Sequence, residues 1–348
     1  MAMLWFWLVS VLVAIYVVMD GFDFGAGILH LFVARTDEER REVLGAVGPL
    51  WDGNEVWLLA GGGSMFLAFP KVLAAGFSGF YLALFLVLWF LILRAIAIEF
   101  RSHVQDVLWR QLWDAGFTVA SFVLPVLLGA ALGNVLRGVP LDGSGYFELA
   151  LWTNFRVSAQ PGILDWYTVL IGVFALVTVA AHGSVFLAWR TGGSVHDRAA
   201  ALAPRLWGGV VVLWLAATAA SFKVTPALFR ALPHAPLAWL AVALFLAGLL
   251  LVFSGLKAGR HLMAFLGSGA FILGILAATA ACVYPVMLKS TLDPAYSLTA
   301  QNALAGTVGL HAALGWWFIA FLLVLGYYTF LFRFHRGKVK AAAEGEGY

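Results

Sequence analysis

Cysteine and charge are both scarce in this sequence, and each shortage excludes a class of protein. Cys282 is the only cysteine and lies in an apolar run, so no internal disulfide can form and the thiol is expected to act as a small hydrophobic group. Charged residues make up 11% of the 348 residues. Soluble domains carry about 25%. With 63% hydrophobic residues and a mean hydropathy of +0.93, the composition is that of a polytopic membrane protein.

The motifs of several soluble enzyme classes are missing as well. The sequence has no nucleotide-binding loop, no metalloprotease helix and no nucleophile elbow. Gly61-Gly62-Gly63 lies in an apolar stretch without the Lys-Ser/Thr of a phosphate loop, so we expect close helix packing there. The net charge is +3, but the basic residues lie in short loops, which does not favour a nucleic-acid partner. No basic residue precedes Arg35, which predicts a retained first span with the N-terminus outside.

Nine apolar stretches approach or exceed the length that a membrane-spanning helix needs. They run over Leu4–Val33, Leu50–Phe69, Val72–Ile98, Ala115–Val135, Ile163–Trp189, Leu206–Phe222, Leu237–Leu256, Leu262–Leu288 and Ala303–Phe332. The predicted fold class is all-α and polytopic, with residues 1–348 forming a single integral membrane domain. The count is consistent with two four-helix bundles plus one C-terminal helix, the N-terminus outside and the C-terminus inside.

The distribution of basic residues supports this topology. The loops and the tail on the predicted inner side hold fifteen of the 21 lysines and arginines. These fifteen are Arg35, Arg40, Arg41, Arg94, Arg101, Arg110, Arg190, Arg198, Arg205, Lys257, Arg260, Arg333, Arg336, Lys338 and Lys340. The other six, on the predicted outer side, are Lys71, Arg137, Arg156, Lys223, Arg230 and Lys289.

Four carboxylates lie within or at the edge of the first two spans. Asp20 and Asp23 fall in the inner half of the first span, and Asp52 and Glu55 begin the second span at the inner interface. Each pair is spaced i, i+3 and therefore shares one helical face. Because an unpaired charge in a bilayer is costly, such acids mark ion paths or buried partners.

Small and polar residues accompany both acid pairs. Gly21 and Gly25 form a small-xxx-small pair that lets a neighbouring helix approach closely. Gly53 and Asn54 loosen the start of the second span, which frees backbone groups for water or a polar partner. The combination predicts a hydrated, carboxylate-lined entry from the cytoplasm that is suited to proton uptake.

A structural interpretation of the same acids stays open. They could cap helices or pair with Arg35, Arg94 or a partner chain. Arg94 and Glu99 flank the inner end of the third span, with Arg101 and Asp114 nearby. We expect these charges to form exposed ion pairs on the inner face, where such pairs contribute little energy.

Histidine decides whether this chain could ligate haem. Of eight histidines, only His30, His182 and His311 lie within spans. His182 is predicted near the inner side and His311 near the outer side, so these two cannot share an iron. His30 and His182 are both inner and are the weak candidates for axial ligands, but hydrogen-bonded histidines are commoner. We therefore predict no metal site in this chain.

The sequence resembles subunit II of the cytochrome bd-type quinol oxidases. The similarity is dense over the first 140 residues. It is most specific in Trp51-Asp52-Gly53-Asn54-Glu55-Val56-Trp57, which follows Asp20-Gly21-Phe22-Asp23-Phe24-Gly25. Further matches are Gly48-Pro49, Phe69-Pro70, Ser78-Gly79-Phe80-Tyr81, Arg94-Ala95, Glu99-Phe100-Arg101, Trp113-Asp114, Gly133-Asn134 and Arg137-Gly138. The second half matches more thinly, at Tyr284-Pro285, Ser290-Thr291, Ser297-Leu298-Thr299 and Asn302.

The resemblance implies a heterodimer with a larger subunit I that ligates the b-type and d-type haems. The complex would oxidise quinol outside and reduce dioxygen to water with protons from the cytoplasm. By position, Asp52 would lie on a proton path toward the oxygen-reducing haem, with Asp23 and Asp20 nearby. Glu55 belongs to the same group of acids, and Trp57 would flank a hydrophobic dioxygen route.

The resemblance also implies a location and a role. The chain would be a multi-pass protein of a prokaryotic cell membrane that helps to assemble subunit I and is not catalytic alone. It would contact membrane lipid, and the family allows small single-helix subunits and a structural quinone bound to this chain.

Two other functions remain open from the residues alone. A proton-coupled transporter would also need carboxylates in the membrane, but it would place broken helices in both halves of the chain. A membrane cytochrome with two histidine ligands would use His30 and His182.

Overall fold

The computed structural model describes residues 1–158 and 161–339, and this part of the chain is predominantly helical. Its helices are α1 (Ala2–Val33), α2 (Asp37–Val47), α3 (Trp51–Ala68), α4 (Pro70–Gly79), α5 (Tyr81–Phe100), α6 (Val107–Arg137), α7 (Trp166–Arg190), α8 (Gly193–Val224), α9 (Pro226–Ala231), α10 (Pro236–Lys257), α11 (His261–Val283) and α12 (Thr307–Phe334). Strands β1 (Val286–Leu288) and β2 (Leu298–Thr299) pair antiparallel. Lys340 lies outside the described residues.

Eight of the described helices are long and apolar enough to cross a membrane: α1, α5, α6, α7, α8, α10, α11 and α12. Helices α3 and α4 meet at Phe69 with a bend of 117° and make a ninth candidate if taken together. The prediction of an all-α polytopic membrane protein is therefore confirmed.

The predicted third span, Val72–Ile98, is wrong as a single helix. The chain leaves helical geometry at Phe80, which separates α4 from α5. The ring of Phe147, from the loop after α6, packs against Phe80 with ring centroids 5.0 Å apart and fills the space beside Gly79. The break thus lies where a distant loop packs into the bundle.

Several other predicted spans have different ends. The predicted span Ala115–Val135 lies within α6, which begins at Val107. The stretch Leu206–Phe222 is only the later part of α8, which has 32 residues and begins at Gly193. Its first turns carry charged residues, so hydropathy alone does not reveal them as helical. The predicted span Leu262–Leu288 ends earlier, because α11 stops at Val283 and β1 follows Tyr284-Pro285.

Two hydrophobic clusters define the two ends of the molecule. One joins the end of α1 at Val33 and the end of α12 at Leu331 with α2. The other joins the start of α1 at Trp5 and the start of α12 at Leu310 with the loop after α6. Helices α1 and α12 therefore run in the same direction.

The predicted close approach of a helix to α1 is found at Gly25. A Cβ at Gly25 would collide with the carbonyl oxygen of Val179 and would lie 2.6 Å from the Cα of Gly183, both on α7. Gly21 has ordinary clearance, with its nearest neighbour 3.5 Å away. The expected packing at the triple-glycine run fails for Gly62 and Gly63, because no other described residue comes within 4 Å of a Cβ placed there.

Candidate functional site

Arg94 on α5 is the centre of a buried ion cluster. Its Nη1 lies 2.5 Å from Oδ1 of Asp20, and its Nη2 lies 3.1 Å from Oδ2 of the same carboxylate. The same Nη2 also donates to Glu55 on α3. The guanidinium and the Asp20 side chain are fully buried, and the ring of Phe24 lies 4.3 Å from the guanidinium carbon. One cation is therefore shared by two carboxylates.

Asp23 is also fully buried, one helical turn from Asp20, but no described lysine, arginine or histidine forms an ion pair with it. Its Oδ2 accepts a hydrogen bond of 2.7 Å from Nδ2 of Asn54 on α3. Its Oδ1 has no hydrogen-bond partner within the described ranges. Asp23 is therefore the acid of this cluster with an oxygen left for a further partner.

Asp52 does not join the buried cluster. It is exposed in the first turn of α3 and lines a groove of about 650 Å³ between α3 and α12, which we call the α3–α12 groove. Trp57 and Tyr328 line the same groove. The four predicted acids thus divide into Asp20, Asp23 and Glu55 around one arginine and Asp52 at the surface.

Trp57 connects this groove to the last helix. Its Nε1 donates a hydrogen bond of 2.8 Å to the hydroxyl of Tyr328, and the two rings stack with centroids 5.8 Å apart. The Tyr328 hydroxyl donates in turn to the carbonyl oxygen of Gly53 at 2.7 Å. Sequence reasoning missed Tyr328, because no spacing links it to Trp57, 271 residues earlier.

A second charge network surrounds Asp114, near the start of α6. Its carboxylate contacts Nε2 of His30 at 2.7 Å, Nη1 of Arg40 at 2.9 Å and Nε of Arg101 at 2.5 Å. Asp114 and Arg101 are buried to 1% exposure each, and Arg94 to 0%. The expectation of exposed ion pairs for these residues is wrong, because α2 contributes Arg40 and Asp37 to the Asp114–Arg101 network, whereas α1 and α3 enclose Arg94.

Asp37, the first residue of α2, extends this network to the surface. It contacts Arg41 at 2.7 Å, Arg101 at 2.8 Å and Arg110 at 3.0 Å. Partial burial alone would raise the pKa of Asp37, but the hydrogen bond from Arg101 and the arginine charges outweigh it and hold the pKa below its ordinary value. The network thus ties α2 to the ends of α5 and α6.

A third buried ion pair lies at the opposite end of the molecule. Arg137 donates to Asp165, which caps α7, and its Nη2 donates 2.6 Å to Oδ1 of Asn134. Nη1 of Arg137 also contacts the carbonyl oxygen of Gly162 at 3.2 Å. This set fixes the long loop between α6 and α7.

The two weak haem candidates make different hydrogen bonds. Nε2 of His182 contacts the carbonyl oxygen of Val18 at 3.0 Å, and its Nδ1 lies 2.5 Å from the hydroxyl of Ser268. Because a carbonyl only accepts, Nε2 must carry a proton and offers no lone pair to iron. His30 uses Nε2 for Asp114. In residues 1–158 and 161–339, no group of three His, Cys, Asp or Glu residues could hold a metal ion.

The fold and the site define a polytopic, all-α membrane protein with buried acids gathered around one arginine. A family model described as cytochrome bd terminal oxidase subunit II matches residues 1–335. The chain belongs to this family, which confirms the resemblance inferred from the sequence.

Curated relatives agree with the family model. The chain is 34% identical over 309 residues to cytochrome bd ubiquinol oxidase subunit 2 of Bacillus subtilis (strain 168), covering 88% of this chain and 87% of that protein. It is 31% identical over 349 residues to a probable cytochrome oxidase subunit 2 of Haemophilus influenzae, covering 93% and 91%. It is 41% identical over 200 residues to cytochrome bd-I ubiquinol oxidase subunit 2 of Escherichia coli (strain K12), covering 58% of this chain. This last match spans about half of the relative, 52% of its length.

A solved structure supports the fold. One chain of the bd oxidase from Geobacillus thermodenitrificans superposes with a TM-score of 0.77 at 16% sequence identity, covering 96% of this chain and 98% of that chain. At this identity the likeness describes the fold alone.

Proposed function

We propose that this chain is the haem-free accessory subunit of a bd-type quinol:dioxygen oxidoreductase in a prokaryotic cell membrane. The complex would oxidise two quinols and reduce one dioxygen to two waters. This chain would stabilise a haem-bearing subunit I and would supply a proton path from the cytoplasm. The support is its membership of the subunit II family together with its buried acids.

The observation that carries the proton path is the excess of acids over bases around Arg94. Asp20, Asp23 and Glu55 gather around Arg94, and one oxygen of Asp23 has no described partner. Burying an ionisable group is costly unless it is paired, so an unpaired acid is poorly explained by stability alone. Such a group is suited to accept and release a proton.

Within this path the acids have different roles. Asp52, exposed in the α3–α12 groove, would collect protons, and Asp23 would hold them in the interior. Asp20 and Glu55 would not transfer protons, because both are hydrogen-bonded to the Arg94 guanidinium. Their charges would instead set the electrostatic potential at Asp23. Asp20 and Glu55 thus stay in the predicted path as fixed charges.

We also propose nine spans with the N-terminus outside and the C-terminus inside, arranged as two four-helix bundles and α12. The bent pair α3–α4 would form the second span. Several arginines predicted to be inner gather with α2 around Asp37 and Asp114, whereas Arg137 lies at the opposite end. This separation supports the orientation, because basic loops stay in the cytoplasm.

The residues of this chain do not fit a haem held by two histidines, since both ring nitrogens of His182 are hydrogen-bonded, and only Nδ1 of His30 lacks a partner among the described residues. The b-type and d-type haems would be held by subunit I, where they would carry electrons and reduce dioxygen. A structural quinone, unlike a haem, would find a suitable cavity in this chain. An apolar cavity of about 320 Å³ beside α8, α10 and α11, lined by Trp214, Phe245 and Ile275, would accept part of an isoprenoid tail.

The α3–α12 groove is also the proposed dioxygen route. Its walls are mainly apolar, with Ala60, Leu67 and Phe321 among them, and Trp57 lies at its polar end. A small apolar gas partitions into such a groove from the membrane, whereas ions do not. Small single-helix subunits would contact the outer helices.

The test of the proton path is Asp52→Asn in the assembled complex. Removing a proton carrier while keeping its shape is expected to slow oxygen consumption by about tenfold or more, with haem content unchanged. The control is Asp197→Asn, because Asp197 is an exposed acid outside the groove, on α8. This variant should consume oxygen at the wild-type rate. Wild-type turnover in a fully assembled Asp52→Asn complex would contradict the role, and loss of assembly would support the structural interpretation instead.

A further inference from the structure

The last helix, α12, is joined to the buried acids through Tyr328. Much of α12 is exposed, including Val308 at 86% and Trp316 at 73%. Among the described residues, Tyr328 is the side chain of α12 whose hydrogen bonds reach another membrane helix. These hydrogen bonds fix Tyr328 against the start of α3.

The hydroxyl of Tyr328 links three groups at the start of α3. It accepts from Nε1 of Trp57 at 2.8 Å and donates to the carbonyl oxygen of Gly53 at 2.7 Å. It also lies 3.4 Å from Oδ1 of Asn54. The amide of Asn54 therefore has its oxygen toward Tyr328 and its nitrogen toward Asp23, where Nδ2 donates at 2.7 Å.

Gly53 also lies against the neighbouring tyrosine of α12. A Cβ on Gly53 would lie 2.8 Å from the hydroxyl of Tyr327, so a larger residue would displace that side chain. Tyr328 also lines the α3–α12 groove together with Asp52. The side chain thus separates an exposed acid in the groove from a fully buried acid behind Asn54.

We propose that Tyr328 is a positioning residue, which holds the first turn of α3 through the Gly53 carbonyl oxygen, thereby keeps the Asn54 amide on Asp23, and sets the passage between the α3–α12 groove and that buried carboxyl. The inference rests on the proposed function, because the passage matters for turnover only if Asp23 carries protons. It adds to that function a residue of α12, a helix that none of the predicted acids belongs to.

The test is Tyr328→Phe in the assembled complex. The ring stacking on Trp57 is kept, and the hydrogen bonds of the hydroxyl are lost. The infrared carboxyl band of Asp23, assigned by its loss in Asp23→Asn, is expected to shift because Asn54 no longer holds a single orientation. Oxygen consumption should fall about fivefold, the factor that corresponds to one hydrogen bond of about 1 kcal/mol.

A matched control is available in the next residue. Tyr327→Phe removes the same atom from an exposed tyrosine for which the described part of the chain provides no hydrogen bond. It should leave the Asp23 band unchanged. Trp57→Phe tests the same link from α3, because it removes the donor to the Tyr328 hydroxyl. It should move the band as Tyr328→Phe does.

The outcomes separate this inference from the proposed function. An Asp23 band that stays in place in both Tyr328→Phe and Trp57→Phe overturns the positioning role, whatever the turnover. A shifted band together with wild-type turnover in Tyr328→Phe and in Asp23→Asn supports the positioning role and overturns the proton path.

Discussion

Arg94 lies between two carboxylates in a part of the molecule that excludes water. Its guanidinium presents two nitrogens to Asp20 and shares one of them with Glu55. A planar fork of donors matches a carboxylate better than an ammonium does, so lysine is a poor substitute at this position. Removing the arginine would leave the buried Asp20 and the half-buried Glu55 without their cation.

Substituting Arg94→Gln is therefore expected to destabilise the protein severely. Breaking a buried ion pair by removing one partner costs about 3–5 kcal/mol. The measurement is the thermal midpoint and the yield of the detergent-extracted complex, with the exposed Arg336→Gln as a control that should match the wild type. A midpoint for Arg94→Gln equal to that of the control would show that the acids do not depend on this cation.

The residues of the site differ in how far the sequence predicts them. Asp20, Asp23 and Glu55 are evident because charge is rare in apolar spans, and Arg94 is a partner that the structural interpretation of these acids names. Tyr328 was not predictable, since a tyrosine near a helix end is ordinary in membrane proteins and its contacts with α3 span more than 270 residues. The burial of Asp114 was missed because hydropathy does not reveal that α2 covers it.

At the scale of elements, the packing of α1 against α7 depends on two glycines. Gly25 and Gly183 face each other so closely that each would place a Cβ against the backbone of the other helix. In a membrane, where apolar surfaces gain little from leaving lipid, such close backbone contact is a main source of helix association. The same crossing brings α7 beside the turn of α1 that carries the acids.

The variant Gly25→Ala should therefore separate α1 from α7. Overpacking costs typically about 1–3 kcal/mol, and more where backbone must move. Gly63→Ala is the matched control, because no described residue lies within 4 Å of the added Cβ. Thermal midpoints of the two complexes measure the difference, and equal midpoints would contradict the close contact.

Element boundaries were predictable where apolar length decides them and not elsewhere. Helix α1 matches its predicted span within two residues at its start, because the apolar run itself sets the limits. The break at Phe80 depends on Phe147, a residue of a distant loop, and the polar start of α8 has no apolar signature. Local sequence does not contain such information.

In the whole molecule, the distribution of basic residues and the direction of the helices indicate the same orientation in the membrane. Arg190 donates to the carbonyl oxygen of Gly337 at 2.5 Å, and Nε of Arg198 donates to that of Val33 at 2.7 Å. The end of α1, the α7–α8 connection and the C-terminal tail therefore lie together. The arginines around Asp37 and Asp114 belong to the same end, which supports the proposed cytoplasmic orientation.

The single cysteine makes this orientation directly testable. Replacing Cys282→Ser gives a background without thiols, into which Ser144→Cys or Arg336→Cys is introduced at exposed sites. With a membrane-impermeant maleimide on intact cells, Ser144→Cys should be labelled because it lies in the loop after α6, and Arg336→Cys should be protected. Both should react after permeabilisation. Labelling of Arg336→Cys in intact cells would reverse the topology and would place the acids around Arg94 near the outer face, where they could not take up cytoplasmic protons.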